Sequence, residues 1–384
     1  MIALLSQDEQ AHSAELAELI RAHIGAAGGW LPFDSFMELA LYAPGLGYYS
    51  AGAVKLGAGG DFVTAPEMSR LFGQCLARQC AQVLAMTGGG VLEFGAGSGA
   101  MAATLLEALA ELGALPERYS ILEVSADLAA RQRARIAELP AALRERVVWI
   151  TELPEEPMRG VVLANEVLDA LPCARFVVHE KGVRSLGVAV DAEGDFVERE
   201  GFADELLVRY AQPLVGEIGL ADGYRSELCW RIDPWIASVA QCLQQGVVLL
   251  IDYGLPRTQY YHPQRPDGTL RCHFKHRAHA NPFILVGVQD ISSWVDFTRV
   301  AQAGLAAGLT LYGFTTQAGF LIGAGIEELL GATADEITRV RRTGEATRLL
   351  MPVEMGEAFK VMALGRGLPQ PLGGFTLPDL TASL

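Results

Sequence analysis

Glycines at 95, 97 and 99 follow an acidic residue, Glu93, at the end of an apolar run that begins at Val91. This spacing describes a strand that delivers a carboxylate into a tight turn opening a helix. Each glycine admits positive φ and lets the backbone lie against a ligand where a Cβ would clash. With Ala100 the same residues also satisfy the G-x-G-x-x-A of a nicotinamide-binding turn, so their surroundings must decide. A carboxylate at the end of the strand can face the ammonium or sulfonium of an S-adenosyl ligand, whereas a dinucleotide brings a pyrophosphate to that place. A second apolar segment, Tyr119 to Val124, carries Glu123 about two dozen residues past the turn, where it can take both ribose hydroxyls. A third, Val161 to Ala164, ends in Asn165 and Glu166, at the edge where the crevice of such a sheet lies. Together these residues predict S-adenosyl-L-methionine as the cofactor, held by Glu93, Gly95, Gly97, Gly99, Glu123 and Asn165.

The elements that must position them follow from periodicity. Glu15 to Ile24 reads as an amphipathic helix with Leu16, Leu19, Ile20 and Ile24 on one face, and Phe33 to Tyr42 as a second. A glycine-rich loop from Gly52 to Gly60 leads into Asp61 and Thr64. Thr64 and Glu67 have capping-box spacing, which predicts a helix over about 66–86. Strands then alternate with helices at Val91–Phe94, Ser120–Val124, Val147–Thr151, Val161–Ala164 and Val247–Asp252. Thr310–Phe314 and Phe359–Leu364 are placed to close the sheet, the last antiparallel. That alternation predicts an α/β fold with a doubly wound, Rossmann-like sheet. The expected division is an N-terminal helical and loop region, 1–66, and a domain over 67–384 with insertions at about 173–245 and 255–300. Arg175–His179 and Leu186–Val190 read as hairpin strands in the first insertion. Long segments over the carboxyl edge are where an acceptor pocket is built, so both insertions are candidate substrate elements.

Composition narrows the function classes. The 384 residues are 51% hydrophobic, enough for a large core, yet apolar runs such as Val247 to Ile251 fall far short of the ~20 residues of a membrane helix. A net charge of −15 disfavours nucleic acid as the main partner and suits a basic protein segment. The six cysteines lack a C-x-x-C pair, as expected of reduced thiols, and acidic Asp8, Glu9 and Glu15 argue against a transit peptide; a cytoplasmic protein is expected. Cys272, His273, His276 and His279 have zinc-like spacing, but Arg271, Lys275 and Arg277 surround them, and no metal is expected.

Gly60-Asp61-Phe62-Val63-Thr64-Ala65-Pro66-Glu67 with Ser69, Phe72 and Gly73, then Glu93 to Gly99, then Asn165-Glu166-Val167-Leu168-Asp169-Ala170-Leu171-Pro172, resemble the MidA family of class I methyltransferases. Asp252-Tyr253-Gly254 and Gly268-Thr269-Leu270-Arg271 also match, so the resemblance spans nearly the whole chain. It departs at Asp290-Ile291-Ser292-Ser293-Trp294, where Trp294 stands at a position that often holds histidine in the family. Family members include a mitochondrial assembly factor that methylates an arginine of a respiratory complex I subunit. The resemblance therefore implies a protein substrate, with such a subunit as the candidate, and places Thr64 with the cofactor residues.

An arginine acceptor is hard to methylate, because its guanidinium stays protonated and delocalised. Carboxylates can grip it through a planar fork and leave one nitrogen facing the methyl group. Glu166 and Asp169 are the catalytic candidates, with Asp61, Tyr253 and Asp290 as substrate-binding candidates. Simpler roles stand beside these: Asp61 and Asp169 as caps, Tyr253 as a core aromatic. The alternatives are a methyltransferase for a small molecule or RNA, a non-catalytic assembly factor that binds S-adenosylmethionine, and, more distantly, a nicotinamide-dependent oxidoreductase.

Overall fold

Runs of branched apolar residues pair in parallel when helices cover both faces of the sheet, and the chain supplies five such runs in succession. The computed structural model describes residues 5–51, 64–180, 182–332, 335–369 and 371–384. It contains β1 (Gly90–Phe94), β2 (Tyr119–Leu122), β3 (Val147–Ile150), β4 (Met158–Asn165), β5 (Leu243–Leu255), β6 (Thr310–Thr316) and β7 (Phe359–Arg366), in the sheet order β6-β7-β5-β4-β1-β2-β3. β1 to β5 are parallel, and β7 runs antiparallel to both β5 and β6. The short segment Val295–Asp296 adds to the end of β5 at Gly254 and Leu255. Val247 to Ile251 are at most 1% exposed, which explains an unbroken apolar run in place of an alternating one. The chain winds outward from β1 through β2 to β3, then returns on the other side through β4 and β5. This reversal puts a crevice at the carboxyl ends of β1 and β4.

Three helices pack against the strands that lead to that crevice: α1 (Arg70–Thr87), α2 (Ala100–Glu111) and α3 (Ala126–Ala137). Buried residues of α1 and α2, among them Phe72, Leu76, Leu105 and Leu109, share one core with Val91, Leu163, Leu249 and Val361 of the sheet. The expected helix over 66–86 is in fact two, Ala65–Met68 and α1, because Ser69 is extended (φ −154°, ψ 134°) and its Oγ caps α1 by accepting from Leu71 N. Thr64 precedes the first of these without a side-chain capping bond, so the capping box does not form.

The chain folds as two compact units, described in their visible parts. The sheet unit comprises Val63–Leu168, Asp233–Pro256 and Val295–Leu384; the other comprises Met1–Phe62, Asp169–Ile232 and Arg257–Trp294. The expected boundaries differ from these: the N-terminal helices and most of both insertions belong to one unit. Its core explains why. Leu16, Ile20 and Ile24 of the helix Gln7–Ala26 pack with Phe33, Phe36 and Met37 of the helix Phe33–Tyr42, and with Val188, Leu270 and Ile291 from the two insertions. The first helix starts earlier than its apolar stripe, because Ser6 and Glu9 form a reciprocal capping box. An antiparallel sheet in the order Leu31–Pro32, Gly182–Val190, Ala174–His179, Arg225–Leu228 completes this unit, with Phe196–Gly201 paired to Gly182–Val190. Cys272 to His279 lie on a hairpin turning at Lys275 and His276, so the histidines share no helix face. Among the described residues no group of three or more His, Cys, Asp or Glu is arranged to hold a metal, and no helix is long and apolar enough to cross a membrane.

Candidate functional site

The turn after β1 is built as the glycine spacing requires. Gly95, Gly97 and Gly99 have φ of 58°, 55° and 83°, a region that side chains disfavour. Gly99 also faces α3: a Cβ there would lie 3.3 Å from the Cα of Gln132. The turn is anchored to β2 by Gly95 N donating to Leu122 O at 3.1 Å, and Ser98 Oγ donates to the Glu67 carboxylate.

Glu93, the next-to-last residue of β1, is 1% exposed. Its Oε2 accepts from the Tyr119 hydroxyl at 2.6 Å, while its enclosed Oε1 has no hydrogen-bond partner among the described residues. Burial, and to a lesser extent the nearby Glu123 charge, push its carboxyl up to about 7, against the opposing hydrogen bond from Tyr119. Glu123, just past β2, is 8% exposed; its oxygens accept from Ser125 N at 2.9 Å and Gln132 Nε2 at 2.8 Å. Val124 beside it is 76% exposed, an apolar side chain presented to solvent.

At the end of β4, Asn165 shares the face of Glu93, since Glu93 is in register with Leu163 and alternation carries that face to residue 165. Asn165 Oδ1 is, like Glu93 Oε1, an enclosed acceptor without a partner among the described residues, and its Nδ2 donates to Glu166 Oε1 at 3.2 Å. Glu166 has φ of +53°, a conformation that costs a glutamate of order 1–3 kcal/mol and persists only where the surroundings impose it. Its amide donates to Ile251 O at 2.9 Å, in line with β5.

Asp252 holds the loop that follows. It is 1% exposed, and its two carboxylate oxygens accept from Leu168 N and Tyr253 N at 2.9 and 2.8 Å. Asp252→Asn leaves one of these amides without its acceptor, and is expected to lower stability by about 2 kcal/mol. A thermal or urea melt of the variant checks this, and an unchanged midpoint refutes it. Tyr253 itself meets the Phe359 ring at a tilt of 39°, with centroids 3.9 Å apart, and packs against the sheet core.

The other unit carries the remaining candidates. Asp169 and Asp290 are 7% and 4% exposed, and both raise the pKa of the same two tyrosines. Tyr49 Oη donates to Asp290 Oδ1 and Tyr42 Oη to Ala170 O, each at 2.9 Å, and the two rings stack at 5.5 Å. Burial first, then these carboxylates, hold both phenols well above their ordinary range, so they act as neutral donors. Asp169 O accepts from Ser293 N at 3.1 Å; its side chain is not an exposed cap. Asp61 lies outside the described residues.

Sequence reading passed over Tyr42, Tyr49, Tyr119 and Gln132. Tyrosines on apolar faces read as core, and only the third dimension shows which carboxylate each one meets. Gln132 had a signal: it lies between Ala129 and Ile136 on the buried stripe of α3, where the helical period calls for an apolar residue.

A seven-stranded sheet in this order, with β7 reversed and a glycine turn after β1, defines a class I methyltransferase. Residues 75–315 match a family model described as "Putative S-adenosyl-L-methionine-dependent methyltransferase". The chain belongs to this family, the MidA group of S-adenosylmethionine-dependent methyltransferases. A Burkholderia thailandensis protein crystallised with S-adenosyl-homocysteine is 41% identical, with a TM-score of 0.95 over 99% of both chains. "Protein arginine methyltransferase NDUFAF7, mitochondrial" is 26% identical in Danio rerio, over 92% of this chain and 88% of that protein. The Mus musculus protein of that name is 27% identical over 94% and 87%. The doubly wound α/β fold and the cofactor, S-adenosylmethionine, are those expected from the sequence.

Proposed function

We propose that this methyltransferase modifies a guanidinium nitrogen of an arginine in a protein substrate. The observation that carries the reading is Glu166: a carboxylate at the crevice end of β4, held in a left-handed backbone conformation that nothing in the local sequence favours. The arginine methyltransferase relatives support it.

For the cofactor, Glu93 and Asn165 offer enclosed acceptors suited to its ammonium end, Gly95, Gly97 and Gly99 make room for its body, and Glu123 takes the ribose hydroxyls; Thr64 joins them. When bound, S-adenosylmethionine supplies an electrophilic methyl group on sulfur. Transfer would be an in-line displacement: the C–N bond forms as the C–S bond breaks, S-adenosylhomocysteine leaves with the electron pair of that bond, and the proton given up by the guanidinium passes to water. The protein's task is to hold acceptor nitrogen and methyl carbon collinear at about 3 Å, which supplies several kcal/mol. Glu166 grips the guanidinium through charge-assisted hydrogen bonds and draws its charge away from the reacting nitrogen. Asp169 is proposed as a second catalytic carboxylate, and Asp61, Tyr253 and Asp290 as substrate-binding residues.

A subunit of respiratory complex I is the proposed acceptor, and the cytoplasm the proposed compartment, consistent with six cysteines that are all free thiols. Peptide mass spectrometry of respiratory-complex subunits, from cells with and without the protein, tests this. The expected result is an arginine peptide that loses roughly 14 or 28 mass units in the deletion, the mass of one or two methyls. Unaltered arginine peptides, together with a methylated small molecule or RNA lost from the same cells, would overturn the acceptor assignment.

A further inference from the structure

Gln132 is fully buried, at 0% exposure, on a helix whose other buried residues are apolar. A neutral amide in such a place costs free energy unless its donors and acceptor are used, and a leucine or methionine would fill the same volume without that cost. Here the amide is used in full. Nε2 donates to Gly97 O at 3.0 Å and to Glu123 Oε2 at 2.8 Å, while Oε1 accepts from the Trp149 indole Nε1–H at 3.0 Å. Because Trp149 can only donate, and Gly97 O and the carboxylate can only accept, the amide has one permitted orientation. The glycine turn comes from the end of β1, Glu123 from the end of β2 and Trp149 from β3, so one side chain joins three successive strand ends. The close approach of α3 needs the bare Cα of Gly99 opposite Gln132. Arg133 lies over the face of Trp149, 5.0 Å from the ring centroid, and steadies the indole.

We propose that Gln132 is the positioning residue of the cofactor site: its amide locks the glycine turn to the Glu123 carboxylate in the spacing the nucleoside requires, and Trp149 sets the orientation of that amide. The inference rests on the reading of Glu123 as the ribose ligand. It assigns to Gln132 no contact with the reacting atoms. Unclamped, Glu123 keeps Ser125 N but loses its tie to the turn, and the cofactor must order both loops as it binds.

Calorimetric titration with S-adenosylhomocysteine, for the wild type and for Gln132→Met, Trp149→Phe, Glu123→Gln and the double variant Gln132→Met/Glu123→Gln, tests both layers. Gln132→Met preserves the packed volume and removes both donors; the expected result is a Kd raised tenfold or more, with the ligand-free melting temperature within a few degrees of wild type. Trp149→Phe is expected to raise Kd about threefold. If Gln132 acts through Glu123, the double variant binds no more than about threefold more weakly than Glu123→Gln alone. In nitrogen–proton spectra, the indole resonance absent from Trp149→Phe should shift on addition of S-adenosylhomocysteine in the wild type, and should already be displaced in ligand-free Gln132→Met. A purely structural glutamine would lower the melting temperature and leave Kd and the indole shift untouched. Wild-type affinity in Gln132→Met, with loss in Glu123→Gln, overturns the clamp and spares the ribose reading. Wild-type affinity in Glu123→Gln overturns the ribose reading itself. Should Gln132→Met fail to fold, Trp149→Phe decides, and an unchanged Kd there overturns the clamp.

Discussion

Glu93→Gln is expected to raise the stability of the ligand-free protein at pH 8 by up to about 3 kcal/mol, while weakening S-adenosylhomocysteine binding tenfold or more. Both effects come from one buried carboxyl. Its folded pKa is about 7 against an ordinary 4.5, so the folded chain binds this proton more tightly than the unfolded chain. Below about pH 4.5 the group is neutral in both states and costs nothing. Between 4.5 and 7 the unfolded chain ionises first, and stability falls as pH rises. Above 7 the folded chain holds an enclosed charge whose Oε1 has no partner among the described residues, and the whole penalty stands. Glutamine keeps the shape and the Tyr119 contact without the charge. The proposed counter-charge is the ammonium of the cofactor, which turns the penalty into affinity. Wild-type affinity should therefore rise with pH, up to tenfold per unit below about 7, and level off above it. The variant should show no such slope. Thermal melts and calorimetric titrations across pH 5.5 to 8.5 measure both effects; a variant that keeps the wild-type slope would remove Glu93 from the site.

Much of this was legible in the sequence, and what was not has physical reasons. The glycine turn and the strands around it were legible because local backbone demands leave local marks: positive φ calls for glycine, and two covered faces call for an apolar run. The break at Ser69 was not, since serine there is compatible with a helix interior, and only its Oγ capping Leu71 N shows that a new helix starts. The division into units was not legible either. The N-terminal helix and the two insertions meet through Leu16, Ile20, Val188 and Ile291, residues far apart in the chain whose types say only that each is buried. Glu93 illustrates the site as a whole. Its type and place in the strand pointed to a cationic ligand, yet its coupling to Tyr119 and its raised pKa depend on a neighbouring strand in register.

Glu166→Gln should reduce methyl transfer by a factor of a hundred to a thousand, with the Kd for S-adenosylhomocysteine within threefold of wild type. Glutamine occupies the volume of glutamate and can retain the contact from Asn165 Nδ2, so the cofactor side of the crevice is left as it was. What it lacks is the charge that grips a guanidinium and the second acceptor of a planar fork. Losing a charge-assisted pair costs several kcal/mol in the transition state, which is the size of the expected fall. The left-handed backbone sharpens the test. If φ of +53° were merely tolerated, Glu166→Gly would relieve the strain, stabilise the protein by about 1 kcal/mol and leave transfer intact. If the strain serves to aim the carboxylate, Glu166→Gly stabilises the fold and abolishes transfer. Single-turnover transfer to the acceptor peptide, measured beside the melting temperature of each variant, separates the two. Full activity in either variant would mean that the acceptor is held by other carboxylates, and Glu166 would drop out of the mechanism.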